Sequence, residues 1–146
     1  MSPTSRLIAL DIEEEFANGC RVIYDDRLTV YHACATDLSL LLKQARVPPV
    51  DYIVSSIPLS IIDDSVADEI LRVAESSLRP GGRFLQYQYS LGYLGRLTAR
   101  FSTVRVGFTL RNIPPAVVYE CETRGGDGEG VMETIGSAVH EHSATQ

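Results

Sequence analysis

Short apolar runs that alternate with stretches of helical periodicity limit what this 146-residue chain can become. Residues 6–12 (RLIALDI), 28–34 (LTVYHAC), 51–56 (DYIVSS) and 83–89 (RFLQYQY) read as strands, rich in β-branched and aromatic residues. Between them, residues 13–20, 37–45 and 64–78 read as helices. The longest is the clearest: Val66, Ile70, Val73, Ala74 and Ser77 share one face, Asp63 or Asp64 can cap it, and Pro80-Gly81-Gly82 stops it. In residues 37–45, Leu38, Leu41, Leu42 and Ala45 share a face and Asp37 can cap. Strands joined by helices run parallel and bury both faces of their sheet. The expectation is an α/β fold with a mostly parallel sheet. Residues 92–100 form a weak helix or a loop. The runs 101–110 and 116–122 are separated by Asn112-Ile113-Pro114-Pro115 with no helix, which predicts an antiparallel C-terminal hairpin at one sheet edge. From Thr123 the chain turns polar and small, so residues 1–122 are expected to form the domain and residues 123–146 a disordered tail.

Composition narrows the function classes. Apolar residues at 45% against 22% charged suffice for one core. A net charge of −6 makes nucleic acid an unlikely partner, because that binding rests on neutralising phosphates. Cys20, Cys34 and Cys121 are widely spaced and contain no CxxC, so reduced thiols are expected and no metal site. No run reaches the roughly 20 apolar residues of a membrane span, and the first residues lack a signal peptide's pattern. The expected location is cytoplasmic, with peripheral contact at the inner membrane face left open. The Gly-rich run at 125–130 (GGDGEG) follows the last strand and opens no helix, so it does not read as a ligand loop.

Three segments in order, DYIVSSIPL from Asp51, LRPGGRFLQY from Leu78 and RNIPPA from Arg111, resemble the bacterial phospholipid N-methyltransferases. These are class I S-adenosylmethionine-dependent enzymes that methylate phosphatidylethanolamine and are distantly similar to rRNA adenine dimethylases. The resemblance runs from about Arg6 to Glu122. It implies a Rossmann-like sheet, S-adenosyl-L-methionine as cofactor, and a phospholipid or small-molecule methyl acceptor.

It also assigns roles. Asp11, with Ile12, takes the place of the acid that binds the cofactor ribose, a task for which a carboxylate's acceptors suit two hydroxyl donors. Read without the resemblance, Asp11 is a helix cap. The acid that meets the adenine is replaced here by Ala33 or Cys34. Ser55, Ser56 and Pro58 fall in the bend that presents acceptor oxygens to the nucleophilic nitrogen, with Ser55 also beside the cofactor; a plain strand-ending turn is the alternative. Tyr87 and Tyr89 share one strand face and are placed in the acceptor pocket, or else in the core. Arg111 and Asn112 are placed to hold a lipid phosphate, or else form a surface turn.

In the family, a central strand and a glycine-rich turn precede the position of Arg6, and no glycine stands among the first five residues here. The resemblance therefore implies a truncated form with the first strand missing between the strands ending at Asp11 and Ser56. Such a chain is expected to pair those two strands directly or to be unstable. Three functions follow: a lipid amine N-methyltransferase, a methyltransferase for rRNA adenine or a small molecule, and a non-catalytic binding module that uses an open sheet edge.

Overall fold

The computed structural model describes residues 4–109, 115–125 and 131–134. Its elements run β1 (Leu7–Asp11), α1 (Glu14–Arg21), β2 (Leu28–His32), a 3-10 turn (Ala35–Asp37), α2 (Leu38–Gln44), β3 (Val50–Ser55), α3 (Asp64–Ser77), β4 (Leu78–Gln88), α4 (Leu94–Arg100), β5 (Thr103–Thr109), β6 (Ala116–Glu122) and β7 (Val131–Thr134). The α/β alternation expected from the sequence is present.

The strands form two sheets. β1 and β2 pair in parallel, Leu7 opposite Leu28 through Asp11 opposite His32. The second sheet has the order β3-β4-β6-β5-β7. β3 and β4 are parallel, whereas β6 is antiparallel to both β4 and β5, so the expected C-terminal hairpin exists. β7 lies in the stretch expected to be a tail and pairs in parallel with β5. β1 and β3 do not pair, so of the two expected outcomes, direct pairing or instability, the direct pairing is not found. The reason is visible in the helices. The 3-10 turn and α2 both pack against α3, which joins the two sheets through helix contacts. On β3, Tyr52 and Val54 are 62% and 79% exposed and share one face of the sheet, opposite the face of Ile53 and Ser55.

One core serves the five-stranded sheet. Leu59, Leu71, Phe84, Leu97, Phe101 and Tyr119 are among its buried residues, and the Phe84 and Phe101 rings stack 5.7 Å apart. α3 starts as expected, with Asp63 Oδ1 accepting the Ser65 N–H at 2.8 Å. Its buried face is Ala67, Ile70, Leu71, Val73, Ala74 and Ser77, while Val66 faces solvent. Asp37 makes no side-chain cap, because the 3-10 turn runs directly into α2. α4 is a true helix, anchored by buried Leu97.

The LRPGG segment does not simply end α3. It begins β4 with a bulge, so that Val50 faces Leu78 but Tyr52 faces Arg83. Gly81 has φ of 70°, and a Cβ on Gly82 would lie 2.8 Å from the Arg79 carbonyl oxygen. Both positions require glycine, for different reasons.

Candidate functional site

In a parallel sheet flanked by helices, ligands bind at the carboxyl ends of the strands. Asp11 ends β1 and Ser55 ends β3. Asp11 Oδ1 accepts the Glu13 N–H at 2.9 Å, which orders the turn into α1. Its second oxygen has no partner among the described residues. The carboxylate thus does part of a cap's work and keeps acceptor capacity for a ligand. Ile12 is 66% exposed, and its carbonyl oxygen accepts the His32 Nε2–H at 3.0 Å. His32 therefore ties the end of β2 to the turn after β1.

The bend after β3 is held from several sides. Ser55 is buried, and its Oγ accepts the Ile57 N–H at 3.3 Å. Gln86 Nε2 donates to the Ile57 carbonyl at 2.8 Å and to the Tyr87 carbonyl at 3.0 Å. Leu59 N donates to the Ile57 carbonyl, and Ile61 N to that of Pro58. The Tyr93 hydroxyl donates to the Leu59 carbonyl at 2.7 Å. Burial raises the Tyr93 phenol above its ordinary pKa, which keeps it a donor. The carbonyls of Ile57 and Pro58 are thus engaged within the protein, whereas Ser56 is exposed with no side-chain partner among the described residues.

Tyr87 and Tyr89 come together as expected from their spacing: the Tyr87 hydroxyl donates to that of Tyr89 at 3.1 Å, with rings edge to face at 5.5 Å. Tyr89 is largely exposed, so the pair is not core. Arg111 and Asn112 lie outside the described residues, as does most of the Gly-rich run at 125–130.

Two residues escaped the sequence reading. Gln86 and Gln88 are buried on the α3 side of β4, and Gln86 Oε1 and both amide atoms of Gln88 have no partner among the described residues. The signal was present, since RFLQYQY alternates and places both glutamines in phase with Phe84.

S-adenosylmethionine needs acceptors for its ribose, and the free oxygen of Asp11 fits that need. Two cavities among the described residues lie elsewhere. One, of about 330 Å³, is lined by Arg72, Glu75, Arg79 and Thr123, and the other, of about 120 Å³, by Arg6, Asp26, Arg27 and Tyr31. Among the described residues no cluster of side chains could hold a metal. No helix of the described residues is long and apolar enough to cross a membrane.

No family model matches the chain. Over 122 residues it is 30% identical to the ornithine lipid N-methyltransferase of Singulisphaera acidiphila, a match covering 82% of this chain and 64% of that protein. The chain thus spans less than two thirds of that curated relative. Its fold is similar to an rRNA methylase from Streptococcus thermophilus, with a TM-score of 0.59 and 14% identity over 82% of this chain and 74% of the other. It is similar, too, to a putative methyltransferase from Streptococcus mutans in complex with SAH, with a TM-score of 0.55 and 16% identity over 80% and 71%. Both fold matches take up more of the chain than either sheet's segment alone, so the arrangement of the two sheets is part of the likeness.

Proposed function

We propose that the chain is a class I S-adenosylmethionine-dependent methyltransferase that serves N-methylation of a lipid amine. The observation that carries this reading is the 30% identity to an ornithine lipid N-methyltransferase. The strand-end geometry supports it. Bound S-adenosylmethionine supplies an electrophilic methyl group on a sulfonium.

Asp11 would accept the ribose hydroxyls through its free oxygen, with Ile12 alongside. Ser55 stiffens the bend, the Pro58 carbonyl is tied to Ile61 and shapes it, and the exposed Ser56 hydroxyl would orient the amine and stabilise the positive charge that builds on it. Tyr87 and Tyr89 present ring faces suited to a methylated ammonium. Arg111 and Asn112 are proposed to hold the headgroup's acidic part. A phosphatidylethanolamine-like acceptor and peripheral contact with the inner membrane face are the finer form of the reading.

The rRNA methylase likeness makes RNA the second reading, and the net charge of −6 weighs against it. A transfer assay with methyl-labelled S-adenosylmethionine decides. It would offer vesicles containing phosphatidylethanolamine, vesicles containing ornithine lipid, and rRNA. Label in either lipid is the expected result. Label in rRNA alone would refute the proposal, as would cofactor binding with no lipid labelled.

A further inference from the structure

The free amide atoms of Gln86 and Gln88 lie at the rim where the proposed chemistry takes place. Ser55, Gln86, Tyr119 and Val106 form one row across β3, β4, β6 and β5. Gln88, Val117 and Phe108 form the next row. β3 has no residue in it, because the chain has already left the strand after Ser55 and entered the bend. Gln88 therefore stands at the carboxyl end of β4, one row beyond Ser55 and on the same face as Gln86.

Gln86 and Gln88 are 0% and 3% exposed. A buried amide is ordinarily hydrogen-bonded, and an exception in a native fold asks what else supplies the bonds. The neighbouring polar groups are committed elsewhere. Ser55 Oγ accepts from Ile57 N, and the hydroxyls of Tyr93 and Tyr119 donate to the carbonyls of Leu59 and Ser90. The two carbonyls that receive Gln86 Nε2 fix the orientation of that amide, so its free atom is an oxygen. Gln88 adds an oxygen and an NH2 group, both without a partner among the described residues.

We infer that Gln86 and Gln88 hold the amine of the methyl acceptor, an assignment that rests on the amine-methyltransferase reading above. The two amide oxygens accept its N–H bonds, and Gln88 Nε2 donates to an oxygen of the same head group. A phosphate or carboxylate offers acceptors alone and leaves both oxygens unanswered. Neutral oxygens suit the reaction as well. They leave the nitrogen lone pair free for attack and gain strength as positive charge builds there. A carboxylate in their place would favour the protonated amine, which has no lone pair to give. Tyr119 reaches from the Gln86 row past Gln88 to the Ser90 carbonyl, at 2.9 Å. Entry of the amine therefore requires the turn at Ser90 to shift, and its neighbours Tyr89 and Leu91 are 61% and 51% exposed.

The test compares the protein with its Gln88→Met variant, which keeps the size of the side chain and removes its amide. In label transfer to vesicles of phosphatidylethanolamine or ornithine lipid, the KM for lipid is expected to rise about tenfold or more, as fits hydrogen bonds lost in a buried site. Affinity for S-adenosylmethionine should not change, and the melting temperature should hold or rise, because an unpartnered amide has gone. An unchanged KM, as for an amide that only holds an internal water, would overturn the inference. A second measurement needs no lipid. The Gln88 side-chain amide NMR signal, identified by its loss in the variant, is expected to move on titration with ethanolamine and to stay in place with inorganic phosphate. If no lipid is labelled, this titration alone decides. A signal that moves with ethanolamine keeps the assignment while the lipid reading falls, and one that stays still, or moves with phosphate alone, overturns it.

Discussion

Asp11 has two tasks that one substitution can separate. Asp11→Asn keeps an oxygen for the Glu13 N–H and removes the charge, whereas Asp11→Ala removes both. The alanine variant is expected to lose about 1 kcal/mol of stability and the asparagine variant little. Both are expected to bind S-adenosylmethionine roughly tenfold or more weakly, as fits loss of a charged hydrogen bond. Calorimetric titration and a thermal melt give the two readings, and an asparagine variant with unchanged affinity would remove Asp11 from the cofactor site. Gly82→Ala tests packing instead. Its Cβ meets backbone oxygens of Arg79 and Asp51 at 2.8 and 3.2 Å, so a loss of about 2 kcal/mol is expected, seen as a lower melting temperature. The thiols differ by burial. Burial pushes Cys121 up to about 12, so its thiolate is scarce near neutral pH. At pH 8, Cys121 is expected to resist alkylation in the native protein while the partly exposed Cys20 and Cys34 react. Peptide mapping after brief labelling checks this.

Among the elements, β4 does most to shape the candidate site, because Gln86 reaches from it to the bend after β3. Gln86→Leu is expected to speed amide exchange at Leu59 and Ile61. Its cost in stability should be small, about 1 kcal/mol or less, since the same change removes an unpartnered Oε1. Unaltered exchange at those amides would show that the other bonds hold the bend alone. Elements with a strong local signal were legible in the sequence. α3 has both a capping acid and a clear apolar face, and Ala116–Glu122, set off by the preceding Pro-Pro turn in the sequence, forms a strand with the expected bounds. α4 was faint because its helix depends on Tyr93, Leu97 and Phe101 fitting a core assembled from distant segments. β7 carries too little local pattern to announce itself and exists by pairing with β5. The strand-end positions of Asp11 and Ser55 were legible from the apolar runs 6–12 and 51–56, and their candidate roles came from the family resemblance. The roles of Gln86 and Tyr93 were not, because a long-range hydrogen bond to a carbonyl leaves no periodic trace.

For the whole molecule, the burial is lopsided. Every member of the main core cluster comes from Leu59 onward, while in the β1–α1–β2–α2 part only Ala17 and Leu42 are buried. Amides of β1 and β2 are therefore expected to exchange at least tenfold faster than those of β4 and β6. Hydrogen exchange by mass spectrometry measures this, and equal protection across both sheets would count against a divided stability. Asp11 stands on the weakly buried side and the Ser56 bend on the other, so the two halves of the proposed chemistry rest on ground of unequal firmness. If the first sheet opens often, any small molecule gripped by Asp11 meets a competent site only part of the time, and its apparent affinity falls by that fraction. Warming the protein toward the melting of that sheet would then release such a molecule well before the larger sheet gives way.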